Sequence, residues 1–191
     1  MLFARHHHRY TYADYVGLEL ASPTKHEFLD GEIFAMAGGS EEHSALAAEV
    51  LGAFRDAARH GPCRVHTSDL RIYVESSGLA TFPDAAVICG VLEQHGPSPK
   101  ATALNATVLL EVTSDASEEY DTGEKLEHYR TIPSLLDYVV VSHRERRIAV
   151  HSRAANGEWS TRVAISGGSV AITGLKTELS VDEIYAKSSI H

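Results

Sequence analysis

Cysteine is scarce in this 191-residue chain: Cys63 and Cys89 are the only two, with no CxxC spacing. That argues against a disulfide framework and against a thiolate zinc site. No apolar run approaches the roughly 18 residues that a membrane-spanning helix needs. The opening MLFARHHHRYTYADY carries no apolar signal-peptide core. These absences predict a cytoplasmic protein with no membrane contact. Positive charge is also short, with 17 Lys and Arg against 26 Asp and Glu and a net charge of −9. Sequence-blind attraction to nucleic acid comes mainly from lysines and arginines that release counterions, so this balance argues against it. An enzyme that meets phosphate through bound metal remains open, because carboxylates gathered to hold a divalent cation make a protein anionic on paper.

What is present fits one globular domain over residues 1–191, at 43% hydrophobic and 23% charged. No repeat, low-complexity tract or interdomain linker interrupts it. TYADYVGLELAS reads as a helix ending before Pro23, and the Asp30-Gly31 pair between short apolar runs signals a hairpin. Ser40 caps a long helix whose apolar stripe is Leu46, Val50, Phe54 and Ala57 or Ala58, stopped by Gly61-Pro62. Strands are predicted over 63–75, 80–89, 104–113 and 136–142, with a helix over 120–131 between the last two. Antiparallel strands turning at Asn156-Gly157 and Gly167-Gly168, then a short helix, close the chain. Strands mixed with helices on both sides of the core indicate an α/β or α+β sheet domain.

Three residues in this frame can do chemistry together. Asp84 follows Pro83 at the start of a buried strand, Glu111 sits inside another, and Lys125 follows in the next helix. The two-residue period places Leu109, Glu111 and Thr113 on one face and Val108, Leu110 and Val112 on the other. A carboxylate in such an apolar segment needs a cation, a raised pKa or access to water. Two carboxylates on adjacent strands suit Mg²⁺, and a lysine beside them can orient water or steady the charge of a pentavalent phosphorus. Taken singly, each has a plainer use. Asp after Pro is a common turn or cap residue, Glu111 can form a strand-end ion pair, and Lys125 can pair with Asp121 along its helix.

The segments KHEFLDGEIFAMAGGSEEHSAL, SDLRIYV, TFPDAAVICG and LLEVTSDASEEYDTGEKLEHYRTIPSLLDYVVVS resemble the Uma-two family of endonucleases, within the PD-(D/E)XK nuclease-like superfamily. The resemblance runs from about Tyr10 to the C-terminus. It implies a restriction-endonuclease-like fold, a central mixed sheet flanked by helices with a Mg²⁺- or Mn²⁺-dependent site at its strand ends. Asp84 and Glu111 fall on the two acidic half-motif positions and so on the metal. Thr113 stands where the superfamily lysine is expected, and the resemblance moves that role to Lys125. Glu27, Asp69 and His43 also fall on positions typical of the family. The segment leaving the active strand departs from the family's Glu-Val-Leu-Ser-Pro-Ser-Thr, with Asp115 in place of the proline.

Beside that resemblance, the residues keep their own alternatives. Glu27 is a third metal ligand and catalytic residue, or pairs with Lys25 or an arginine. Asp69 supports the site from behind or marks a bulge. His43, at a helix N-terminus, is expected to have its pKa lowered by the dipole and to serve in capping or hydrogen bonding. Tyr129 shares a helix face with Lys125 and packs beneath the site. Arg144, Arg146 and Arg147 form a solvated turn or touch a phosphate backbone, and residues 1–9, with His6, His7 and His8, read as a tail. The function expected is hydrolysis of DNA phosphodiesters by Mg²⁺-activated water in a homodimer. The alternative is a catalytically silent nuclease-like binding or assembly module, since no helix-turn-helix or zinc finger accompanies the acidic balance.

Overall fold

The computed structural model describes residues 9–96 and 101–191. The histidine run His6–His8 lies outside them. Helix α1 (Tyr12–Ala21) leads into a hairpin of β1 (His26–Leu29) and β2 (Glu32–Ala35), followed by the long helix α2 (Glu41–Ala58). Strands β3 (Cys63–Thr67), β4 (Arg71–Val74), β5 (Leu79–Thr81), β6 (Ala85–Cys89), β7 (Thr102–Ala103) and β8 (Val108–Val112) come next. Two short helices, α3 (Glu118–Thr122) and α4 (Glu124–Arg130), precede β9 (Asp137–Val141). The chain closes with β10 (Arg147–Arg153), β11 (Trp159–Ile165), β12 (Ser169–Ile172), β13 (Thr177–Ser180) and α5 (Val181–Ile184).

A six-stranded sheet ordered β11-β10-β9-β8-β6-β3 forms the centre, antiparallel except where β8 and β9 run parallel. That parallel step needs a crossover, which α3 and α4 supply. Val108, Leu110 and Val112 face the Leu46, Val50, Phe54 and Ala58 stripe of α2. Leu109 faces the opposite side, with Leu126 and Tyr129 of α4 and Ile72, Val74 and Leu79 of the second sheet. The period of two therefore sorts β8 as its sequence predicts, and Glu111 lies on the α4 side. The second sheet, β2-β1-β5-β4-β7, is backed by α1 through Tyr15, Phe28 and Ala80.

Several expectations hold in detail. Asp30 and Gly31 both take positive φ, 47° and 82°, as a tight hairpin turn requires. Ser40 caps α2 by accepting from the His43 amide. Others are corrected. The stretch 63–75 is two strands in different sheets, and so is 80–89, because the chain turns a corner at Ser68-Asp69 and again at Phe82-Pro83-Asp84. Helix 120–131 is broken at Gly123, whose φ and ψ are −115° and −100°. Arg9 is no tail residue: both its terminal nitrogens reach Asp30 at 3.1 Å. Finally, Cys63 and Cys89 are disulfide-bonded. They are register partners in the β3–β6 pair, a neighbourhood created by tertiary pairing that spacing in the sequence does not reveal.

Candidate active site

The antiparallel register of β6 and β8 pairs Ala85 with Leu110, so one step further along Asp84 stands opposite Glu111. Asp84 is pinned by its own main-chain neighbour: Oδ2 accepts from the Val112 amide at 2.7 Å. The corner at Phe82-Pro83 delivers the side chain to the strand end, where it is about a fifth exposed. Glu111 is deeper. Its Oε1 accepts from the Tyr129 hydroxyl at 2.9 Å and lies 2.8 Å from Lys125 Nζ.

Lys125 and Tyr129 lie one helical turn apart on α4, which carries both to Glu111. The ammonium also meets Glu27 at 3.0 Å and Asp121 at 3.5 Å. Glu27 comes from β1 and is held in turn by the Thr81 hydroxyl. Three carboxylates thus surround one buried lysine. Burial pulls the Lys125 amine down, but Glu111, Glu27 and Asp121 outweigh it, so its pKa stands well above the usual value and it stays protonated. Burial pushes the Glu111 carboxyl well up, with Lys125 opposing and the nearby acids adding to the rise. Asp121 is raised too, again chiefly by burial.

His43 Nε2 lies 3.2 Å from Asp84 Oδ2. The expectation of a lowered pKa is reversed here. The hydrogen bond to Asp84 raises it, outweighing the desolvation that lowers it, because a facing carboxylate acts at closer range than the helix dipole. Asp69 is not in this cluster: it is exposed and pairs with Lys25 at 3.0 Å. Glu27 consequently pairs with neither Lys25 nor an arginine but with Lys125. Arg144 is paired with Asp115 at 2.8 Å and Glu118 at 3.1 Å, Arg146 with Asp182 at 3.6 Å and Arg147 with Glu145 at 3.8 Å. Each of the three arginines at the β9–β10 turn thus has an acidic partner. The departure at Asp115 has a structural use, since this residue also meets His143 Nε2 at 3.1 Å. In the sequence Asp121 shows only as a helix-surface partner of Lys125, and nothing there marks Thr81 or Tyr120 as site residues. The Asp121–Lys125 spacing was a usable signal, whereas Thr81 arrives from another strand.

A cleft of about 1560 Å³ opens over these residues, between the β1–β2 hairpin and the segment from Ser114 to Lys125. Among the described residues, Asp84 Oδ1 and Glu111 Oε2 take no hydrogen bond. No three His, Cys, Asp or Glu side chains among the described residues are grouped to hold a metal unaided. Mg²⁺ does not require that, since it binds through one or two carboxylates and keeps water or phosphate oxygens for the rest. Two hard oxygen donors on adjacent strands, within a cluster whose acids outnumber its one ammonium, fit such an ion.

A mixed sheet that presents two carboxylates from neighbouring strands and a lysine from the following helix defines a protein of restriction-endonuclease-like fold. The chain matches the Uma2 family, described as "Putative restriction endonuclease", over residues 12–182, and belongs to it. Two proteins of a Synechocystis species are similar. "Uncharacterized protein slr1290" is 29% identical over 90% of this chain and 89% of its own. "Uncharacterized protein sll1609" is 27% identical over 78% and 84%. The fold is that of a crystal structure from Anabaena variabilis described as "a putative nuclease belonging to DUF820", with TM-score 0.70 and 16% identity over 90% of this chain and 97% of that one. No helix among the described residues is long and apolar enough to cross a membrane.

Proposed function

We propose that this protein is a Mg²⁺- or Mn²⁺-dependent endonuclease that hydrolyses DNA phosphodiester bonds with water. The observation that carries this is the convergence of Asp84 and Glu111 from the ends of β6 and β8, with Lys125 at 2.8 Å from Glu111. Asp84 and Glu111 would hold the ion, Asp84 fixed by the Val112 amide and Glu111 by the Tyr129 hydroxyl. Such an ion polarises the phosphorus centre and lowers the pKa of an attacking water. Lys125, protonated and aimed by Glu27 and Asp121, is placed to steady negative charge growing on the phosphate. His43 stays on Asp84 and keeps that carboxylate in one orientation. A homodimer belongs to this function where both strands of a duplex are cut.

The test is cleavage of supercoiled and linear DNA in EDTA, Mg²⁺ and Mn²⁺ by the wild type, Asp84→Asn and Glu111→Gln. Metal-dependent cutting that falls at least about a hundredfold in both variants is expected. Equal activity in all three would assign the cutting to another site. A second possibility, a nuclease-like binding module without turnover, is favoured by the tight enclosure of Lys125 among three acids. Calorimetry separates the two. A divalent-metal isotherm that vanishes in Asp84→Asn supports the enzyme, and no metal binding supports the module.

A further inference from the structure

The cleft is lined by seven carboxylates and only two lysines, and no arginine lines it among the described residues. Both lysines are occupied, Lys25 by Asp69 and Lys125 by its three acids. Two full rows of duplex phosphates would therefore find little to neutralise them. Beside the acids the cleft offers His43, His128 and several hydroxyls, and along the β1–β2 hairpin an aromatic and apolar surface. Phe34 is 49% exposed. It is the cross-strand register partner of Glu27, and paired positions share a face. The ring therefore stands next to the carboxylate that holds Lys125. Leu29 follows on the same face of the hairpin, and Tyr120 faces them across the cleft, 5.6 Å from Lys125 Nζ to its ring centre. The opposite face of the hairpin is spent on α1 through Phe28 and Ile33, so Phe34 has no place in that packing.

Resting on the nuclease function proposed above, we infer that the substrate is a single-stranded or unpaired DNA segment whose bases stack on Phe34 beside the reacting phosphate. Every base has a π-face, so such a platform holds unstacked bases, whereas bases within a duplex are already stacked on each other. Acid lining then discriminates against the second strand, while the metal-borne phosphate is the one anion accommodated.

The inference is tested on the full chain with a labelled 12-nucleotide single strand and a hairpin duplex of the same sequence. Binding is read by fluorescence anisotropy in Ca²⁺ and cleavage in Mg²⁺. The single strand is expected to bind and be cut at least about tenfold better than the duplex. Phe34→Ala, checked for folding by circular dichroism, should weaken single-strand binding about fivefold to a hundredfold, and Phe34→Trp should restore it. Affinity should change by about tenfold or less between 50 and 200 mM salt, as for one or two phosphate contacts. Preference for the duplex, or an unchanged Phe34→Ala, with metal-dependent cutting still lost in Asp84→Asn, overturns the stacking inference and leaves the nuclease standing. Absence of binding and of cleavage for both forms overturns the two together.

Discussion

Lys125 is the residue on which the cleft's electrostatics turn. It is one buried cation among three carboxyl groups, so deleting it leaves buried oxygens without the donor they share. Removing one partner of a buried ion pair costs about 3–5 kcal/mol, and Lys125→Met should lose about that much in urea unfolding. The conservative control is Asp69→Asn, which breaks an exposed pair with Lys25 and should change stability by less than about 1 kcal/mol. His43 supplies a second prediction at this scale. Its bond to Asp84 holds the imidazole above the usual histidine range, while burial holds His66 and His151 below it. Histidine NMR titration should therefore rank His43 highest of the three, and Asp84→Asn should bring it down. An unmoved His43 in that variant would show that the carboxylate is not the cause. In the sequence Asp84 and Lys125 have plainer readings, as a turn residue and as a partner of Asp121, and stand out mainly through the family resemblance. Glu111 stands out there because a carboxylate in an apolar strand needs a partner. Which partner was not legible. Glu27 reaches Lys125 across 98 positions (125 − 27), and only the placement of β1 beside α4 brings them together.

At the scale of elements, the break at Gly123 does specific work. A Cβ there would come within 2.8 Å of the Glu119 carbonyl oxygen, so a side chain forces the α3–α4 junction apart. Asp121 precedes the break and Lys125 follows it; shifting either helix separates this pair. Gly123→Ala should destabilise by about 1–3 kcal/mol and lower cleavage more than stability alone explains, measured well below the unfolding transition. The Cys63–Cys89 bond is placed differently, at the end of β3 and β6 opposite to Asp84. Closing a loop between residues 26 apart is worth about 3.5 kcal/mol by the loop-entropy relation. Reductant, or Cys63→Ser with Cys89→Ser, should lower the urea midpoint accordingly while leaving cleavage intact under native conditions. The same strands show where reading a sequence stops. Helices α1 and α2, the Asp30-Gly31 hairpin and β8 were legible because caps, turn residues and apolar period are local signals. The stretches 63–75 and 80–89 each kept one alternating pattern through a corner. Alternation reports that a strand is half-buried, but not which of two sheets it joins.

Across the whole molecule, the excess of buried acid at the cleft makes stability depend on pH in a definite sense. Burial raises the Glu111 and Asp121 carboxyls above the ordinary range, so the folded chain keeps protons there that the unfolded chain releases. Their contribution is fully present below the unfolded carboxylate pKa of about 4 and is lost as pH climbs through the raised folded values. His43, raised as well, acts in the same direction from about 6.5 upward. His66 and His151 oppose it: held neutral by burial, they cost stability as pH falls below about 6.5. Lys125 stays charged throughout this window and contributes nothing to the slope. Because these influences overlap, the informative quantity is the difference between wild type and Glu111→Gln, a neutral side chain of the same shape. In EDTA the wild type's advantage in urea unfolding should shrink as pH rises above the unfolded carboxylate range of about 4. With millimolar Mg²⁺ it should shrink less, because an ion bound only by the folded, ionised site stabilises it by mass action. A difference that is flat with pH would mean that Lys125 alone balances the cluster. A slope that Mg²⁺ leaves untouched would mean that Glu111 does not reach the ion, and the metal would then have to be sought away from β8.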